Sequence, residues 1–332
     1  MELNLWNSNH LLQKWLEKHA KNILKCDFDF DVVNPSSNEL IEMISVAFGI
    51  ERDCIALSAG ISELISAIFS APLWENVYIF HPEFGLYAKC IQHSMYKEKV
   101  TIMNVESVHT IDHLIENHQT TPKDLLCISS PNWFSGEKMT YEEVEELLRV
   151  FPGTIVIDEA YINYAEEPDA LIQLAETQER IILLRSFSKG WFVSGLRIGF
   201  MISKGYAAKF RDEIIVPHSV STPSMRVIQD LLKDSFLMKC FHTTRKDVVK
   251  TREYLKIELG NLGGCTCYQS EANFLTVLLD ERYEGRKGKL SEAFGAKIME
   301  IRMHGKLSVK YWISDKKNAD EFVQILKEIP KG

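Results

Sequence analysis

The chain has 332 residues, 45% hydrophobic and 25% charged, a balance of ordinary globular proteins that excludes both a disordered chain and a fibrous repeat. At about 100 to 200 residues per domain, this length predicts two domains sharing a cleft. The 38 Lys and Arg against 46 Asp and Glu leave a net charge of −8 with the basic residues scattered, which argues against nucleic acid or an anionic membrane as a partner.

No stretch approaches about eighteen consecutive apolar residues. Residues 1–17 mix Asn, Lys, His and Glu, so neither a membrane span nor a secretory signal is expected, and the predicted compartment is cytoplasmic. Seven cysteines, an odd number spread from Cys26 to Cys267, argue against a disulfide framework. Cys265 and Cys267 form a lone C-x-C with no second pair and no nearby His, so no metal is expected.

Residues 1–35 carry no sheet pattern of their own and are expected to pack with a small domain or a neighbouring subunit. Between residues 36 and 235, short apolar runs alternate with helical patterns, the signature of an α/β chain with a largely parallel sheet. Ser36-x-x-Glu39 reads as a capping box opening a helix with Leu40, Ile44, Ala47 and Phe48 on one face. Strands are predicted at 77–80 and 125–129. A second box, Thr140-x-x-Glu143, opens a helix with Val144, Leu147, Leu148 and Phe151 on its apolar side, and strands follow at 154–157, 181–184 and 198–202. Residues 236–332 change texture: a charged helix over 243–259, strands at 273–279, 298–301 and 309–313, and a final helix from Ala319 predict a small α+β domain.

Two runs carry chemistry. In the run 185–197 (RSFSKGWFVSGLR), directly after a strand, Ser186, Ser188 and the guanidinium of Arg197 offer the donors and fixed positive charge that a phosphate needs. Lys189 among them would condense with an aldehyde if its environment lowered its pKa. Alone, this S-x-S-K pattern is equally well a surface loop. In the run 154–161 (TIVIDEAY), a strand ends in Asp158, which could keep a pyridine nitrogen protonated, and Tyr161 follows as a phenolic donor. Alone, an Asp at a strand end is more often a turn or helix cap.

Together the two runs resemble the fold-type I pyridoxal-phosphate aminotransferases (class I/II), closest to the histidinol-phosphate aminotransferase branch. The resemblance extends from about Ser36 to the end of the chain and rests on DEAYINY, LRSFSKGWFVSGLRIGF, VPHSVSTP, ALSAGISELI and ANFLTV. It implies a large domain with a mostly parallel seven-stranded sheet in an α/β/α sandwich plus a smaller α+β domain, with pyridoxal 5′-phosphate as cofactor. It further implies Lys189 as the Schiff-base lysine and proton carrier, Asp158 as partner of the pyridinium nitrogen and Tyr161 as partner of the cofactor's O3′. Ser186, Ser188 and Arg197 would hold the phosphate with backbone donors from Ile61 and Ser62, where the Gly60 turn enters a helix. Phe84 falls where the family stacks an aromatic on the cofactor ring, with ordinary core packing as the alternative.

Three departures bear on the substrate. The family's N-P-T-G loop is replaced by the run 130–136 (SPNWFSG), where strict alignment puts Trp133 in the place of the asparagine on O3′. Either the loop shifts so that Asn132 serves, or Tyr161 alone holds that oxygen. In VKYWIS (309–314), Lys310 replaces the family's substrate-carboxylate arginine; a lysine still attracts a carboxylate without the planar two-pronged grip. Arg302 and Lys306 lie nearby in sequence as substitute anion partners, unless they are solvated surface charges. Before Ser36, the run DVVNP lacks the tyrosine that relatives send to the neighbouring subunit.

The resemblance implies an aminotransferase moving an amino group between a small amino-acid-like donor and a keto or aldehyde acceptor, working as a homodimer, with His218 and Ser221 either near the partner or in plain loop packing. A decarboxylase resembling the threonine-phosphate decarboxylases, or a lyase, keeps the cofactor and breaks another bond. A catalytically silent homologue would show damage at Lys189, Asp158 or Arg197, and all three are present. No G-x-G-x-x-G or P-loop supports a nucleotide-binding alternative.

Overall fold

The computed structural model describes residues 37–104, 108–110, 118–283, 291–292, 298–303 and 305–329. The expected packing of 1–35, the Ser36 end of the first capping box and the missing tyrosine before it lie outside these residues.

Helix α1 (Asn38–Phe48) buries Leu40, Ile41 and Ile44, with Phe48 half-buried. Ala47 is exposed, contrary to expectation, because the stripe facing the core includes Ile41 on its other side. Ser37 stands at its N-cap without a side-chain cap bond. Strand β1 (Ile55–Ser58) turns at Gly60 into α2 (Ile61–Ser70), followed by β2 (Val77–His81), α3 (Gly85–Gln92) and β3 (Val100–Asn104). Then come β4 (Leu125–Ser129), α4 (Tyr141–Val150), β5 (Thr154–Asp158), α5 (Ile172–Thr177), β6 (Ile181–Ser186) and β7 (Gly199–Ile202). The Thr140 box forms as expected: Glu143 N–H donates to Thr140 Oγ1 at 3.2 Å and Thr140 N–H to Glu143 Oε2 at 2.7 Å.

These seven strands form one sheet in the order β1-β7-β6-β5-β4-β2-β3, parallel except that β7 runs against both β1 and β6. Strands β4, β5 and β6 are buried along their whole lengths, as strands covered on both faces must be, and so read as continuous apolar runs. Their alternate side chains enter two separate cores. Leu126, Ile128, Ile155, Ile157 and Leu183 point into one, and Leu125, Cys127, Val156, Ile182 and Leu184 into the other. That alternation is the α/β/α sandwich. The run of β1 merges in sequence with the helix after it, and β3 is an edge strand exposing Ile102, so neither stands out by pattern.

Helices α6 (Thr222–Lys233) and α7 (Ser235–Gly260) lead to a second, wholly antiparallel sheet of β8 (Cys265–Cys267), β9 (Phe274–Leu279), β10 (Ile298–Met303) and β11 (Lys306–Trp312), in the order β10-β11-β9-β8. Helix α7 starts earlier than its charge pattern indicates because Asp234 caps it, accepting from Phe236 and Leu237 N–H. Helix α8 (Lys316–Glu328) likewise starts ahead of Ala319, with Asp315 accepting from Asn318 N–H at 2.8 Å.

Candidate active site

Because β7 opposes both its neighbours, the carboxyl ends of β1, β2, β4, β5 and β6 lie along one edge of the large sheet, where ligands collect in open α/β folds. A cavity of about 280 Å³ opens there, lined among others by Ser62, Glu83, Phe84, Trp133, Asp158, Tyr161, Ser186, Ser188, Lys189 and Arg197.

Lys189 sits in the loop after β6. Its amine is pushed down to about 8, first by burial and then by the nearby Arg197 charge, with Asp158 opposing. The loop is braced from below: Tyr164 Oη donates to the Lys189 carbonyl at 3.1 Å, and Ser188 N–H to Ser186 Oγ at 2.9 Å. Arg185, four residues earlier, is scaffolding: it is buried and donates to Glu159 at 2.7 Å, Asp169 at 2.6 Å and the Pro168 carbonyl at 2.6 Å.

At one end of the cavity, Arg197 adopts a left-handed backbone (φ 51°) and its guanidinium spans two hydroxyls, donating to Ser188 Oγ and Ser62 Oγ, each at 3.4 Å. Gly60 makes room for it: φ is 83°, and a Cβ there would lie 2.7 Å from Arg197 Nη2. Gly60 therefore shapes the turn rather than lining the wall. Ile61 and Ser62 begin α2, so the helix N-terminus, the hydroxyls and the guanidinium converge as an anion cradle.

At the sheet's centre, Asp158 closes β5. Its carboxylate accepts from Ala160 N–H at 3.0 Å and from Tyr87 Oη at 3.2 Å, yet burial outweighs both bonds and raises it to about 6. Lys189 Nζ lies 5.7 Å from the Tyr161 ring centroid, and that ring packs edge-on against Phe274 at 5.1 Å. Burial holds the Tyr161 phenol well above its usual range, so it acts as a donor. Phe84 keeps 42% of its surface exposed at the cavity wall, which disfavours core packing as its role.

Several expected residues are not brought in. Asn132 is buried beside the cavity with its carboxamide engaged in its own turn: Oδ1 accepts from Phe134 N–H at 2.9 Å and Ser135 N–H at 3.0 Å, and Nδ2 donates to the Pro82 carbonyl at 3.3 Å. Trp133 lines the wall instead. Lys310 lies behind that wall, donating to the Trp133 carbonyl. Arg302 and Lys306 are exposed, with Arg302 donating to the Gly305 carbonyl across its own hairpin turn at 2.9 Å. Ser221 caps α6, and His218 is exposed on a left-handed turn.

Conversely, the site contains groups that residue pattern does not single out. Glu83 lines the cavity, its carboxylate accepting from Phe84 N–H at 2.7 Å and Ser129 N–H at 2.8 Å, with burial raising it to about 7. Tyr87 is the buried partner of Asp158. Both stand beside Phe84 in HPEFGLY, and a carboxylate inside an otherwise apolar run is the signal that could have found them. Among the described residues, no cluster of three or more His, Cys, Asp or Glu could hold a metal, and no helix is long and apolar enough to cross a membrane.

Known proteins place this geometry in a family. Residues 4–303 match aminotransferase class I and II. The histidinol-phosphate aminotransferase of Caldanaerobacter subterraneus subsp. tengcongensis is 24% identical over 244 residues, spanning 73% of this chain and 68% of the relative. The fold is shared with the L-threonine-O-3-phosphate decarboxylase of Porphyromonas gingivalis (TM-score 0.78, 18% identity, 99% and 98% of the two chains). It is shared too with the histidinol-phosphate aminotransferase of Sinorhizobium meliloti in complex with pyridoxal-5′-phosphate (TM-score 0.75, 18% identity, 96% and 87%). With the match covering most of its length, the chain belongs to the aminotransferase class I and II family, a pyridoxal-phosphate-dependent family of enzymes.

Proposed function

We propose that Lys189 is the residue that carries pyridoxal 5′-phosphate, and that the cavity around it moves an amino group from an amino-acid-like donor to a keto or aldehyde acceptor. The observation that carries this reading is a lysine amine held near 8 between an anion cradle and a buried carboxylate in one cavity. The donor set suits the cofactor. Ser62, Ser186, Ser188, Arg197 and the first N–H groups of α2 would hold its phosphate, Asp158 its ring nitrogen, Tyr161 its phenolic oxygen and Phe84 a ring face. When bound, it supplies an electron sink for the bond broken at the substrate's amine carbon.

An aminotransferase releases its donor as a carbonyl compound and returns the nitrogen to an acceptor, and each half requires a proton moved at the amine carbon. A lysine lowered to about 8 is basic enough to take that proton and acidic enough to give it back near neutral pH. Asp158 must be ionised to pair with a protonated ring nitrogen. Its two donors, Tyr87 and Ala160, favour that form against burial. The names of its relatives make histidinol phosphate the reference donor to try first.

Residues 36–235 are read as the cofactor-binding domain and 236–332 as the smaller domain, with 1–35 joining the latter or a second subunit. The protein is read as a homodimer, testable by light scattering, and as cytoplasmic, in keeping with six described cysteines that are free thiols.

The test is borohydride reduction of the loaded protein followed by peptide mass analysis, then product analysis with candidate amines. Cofactor mass on the Lys189 peptide and a carbonyl product from the donor support the proposal. Labelling elsewhere removes Lys189 from the role, and released carbon dioxide without a keto product makes the protein a decarboxylase.

A further inference from the structure

The turn after β4 is fastened to the second sheet at successive points. Thr276 on β9 and Lys310 on β11 are cross-strand partners. They reach consecutive carbonyls of that turn: Lys310 Nζ donates to the Trp133 carbonyl and Thr276 Oγ1 to the Phe134 carbonyl. From the large sheet's side, Ser129 Oγ accepts from Trp133 N–H at 2.9 Å. Glu271 N–H donates to the Gly136 carbonyl at 2.7 Å, and a Cβ on Gly136 would lie 2.1 Å from Ser270 Oγ. The Trp133 backbone is therefore gripped from both domains, and the residue lines the cavity.

Lys310 has no exposed surface, and its Nζ lies 3.6 Å from the Phe274 ring centroid, 4.5 Å from Trp133, 5.2 Å from Trp312 and 5.5 Å from Tyr161. Such a box favours a cationic nitrogen, but burial and the neighbouring Lys189 charge drive the amine well below the usual lysine range. Either protonation state leaves it behind the aromatic wall, away from the cavity. A substrate carboxylate would have to displace the rings to meet it.

We infer that Lys310 is a positioning residue that fixes Trp133 as the specificity-determining face of the cavity, rather than a ligand of the substrate's carboxylate. Donors with a flat apolar or aromatic substituent fit that face. The substrate half of this inference rests on the aminotransferase proposal, and the positioning half does not.

The test uses Lys310→Met, Lys310→Arg, Thr276→Val and Trp133→Phe in the full chain. In cofactor-free protein, acrylamide quenching assigned to Trp133, taken as the difference from the same variant carrying Trp133→Phe, is expected to rise in Lys310→Met and less in Thr276→Val. In loaded enzyme, Lys310→Met is expected to raise KM for an aromatic amino acid and for its matching amino alcohol by the same factor. Loss of a hydrogen bond from a buried amine makes that roughly ten- to a hundredfold, with kcat little changed. The preference for aromatic over small aliphatic donors is expected to fall as it does in Trp133→Phe. A KM that rises only for the carboxylate-bearing donor and is restored by Lys310→Arg makes Lys310 the carboxylate ligand and overturns the inference. Unchanged quenching also overturns it, with Thr276→Val deciding if Lys310→Met does not fold. Failure to label Lys189 ends the aminotransferase proposal and leaves the quenching result standing.

Discussion

At the Arg197 end of the cavity, two short turns bring a guanidinium, hydroxyls and a helix N-terminus together, and the contacts among them are long, 3.4 Å from Arg197 to each of Ser62 and Ser188. At the Trp133 end, three segments from two sheets meet, and these polar groups are already engaged: Lys310 with the Trp133 carbonyl, Thr276 with the Phe134 carbonyl, Asn132 with its own turn and the Pro82 carbonyl. Hydrogen-bonding capacity left over at the first end suits an incoming anion, whereas the second end offers a shaped aromatic surface. On the proposed function the first end would bind and the second select, with Lys189 and Asp158 in the same cavity.

The sharpest way to break this division is at its centre. Lys189→Ala removes the proposed covalent anchor and proton carrier, and activity is expected to fall by roughly a hundred- to ten-thousandfold, with borohydride no longer labelling the protein. Full activity in that variant would move the chemistry elsewhere. At the binding end, Gly60→Ala puts a side chain at a positive φ and against Arg197. The strain is about 1–3 kcal/mol, so cofactor affinity in a fluorescence titration is expected to drop by roughly five- to 160-fold. An unchanged affinity would mean that Arg197 does not have to stay where it is.

Glu83 probes the border of the two ends through pH. Its carboxyl is raised from 4.5 to about 7 by burial, so the folded protein binds its proton more tightly than the unfolded chain. The stability it contributes is fully present below about 4.5 and is lost as pH rises through about 7; Asp158, raised to about 6, acts in the same direction. Thermal melts of cofactor-free protein should therefore decline across this window, and Glu83→Gln should flatten the decline by up to about 1.4 kcal/mol per pH unit. An identical slope in the variant would show that Glu83 is not buried as a titrating group. The smallest effect belongs to Tyr87→Phe, which deletes one donor to Asp158 worth roughly 1 kcal/mol. The Asp158 carboxyl should then titrate above about 6, read by carbon NMR of labelled aspartate. No shift would leave the Ala160 N–H as the bond that matters.

Most of the binding end is legible in the order of residues along the chain. Lys189, Ser186, Ser188 and Arg197 fall in one loop, and Asp158 ends a fully apolar strand, so period and order carry them to one sheet edge. Asn132 stays off the cavity wall because both ends of its carboxamide are engaged: Oδ1 accepts from the N–H groups of Phe134 and Ser135 in its own turn, and Nδ2, its only donor, reaches the distant Pro82 carbonyl. Glu83 and Tyr87 are not legible in the same way, because their meaning emerges only when β2 and β5 stand close enough for Tyr87 to reach Asp158.

By itself the sequence determined the α/β class, the central strands, the Thr140 cap and the Asp158 and Lys189 runs that meet at the cavity, because each depends on residue type and spacing within one segment. Only the tertiary structure decided that Lys310 stands against the Trp133 carbonyl instead of lining the cavity. That placement depends on the register of β9 with β11 and on how both pack against the turn after β4, distances across space that no spacing along the chain encodes.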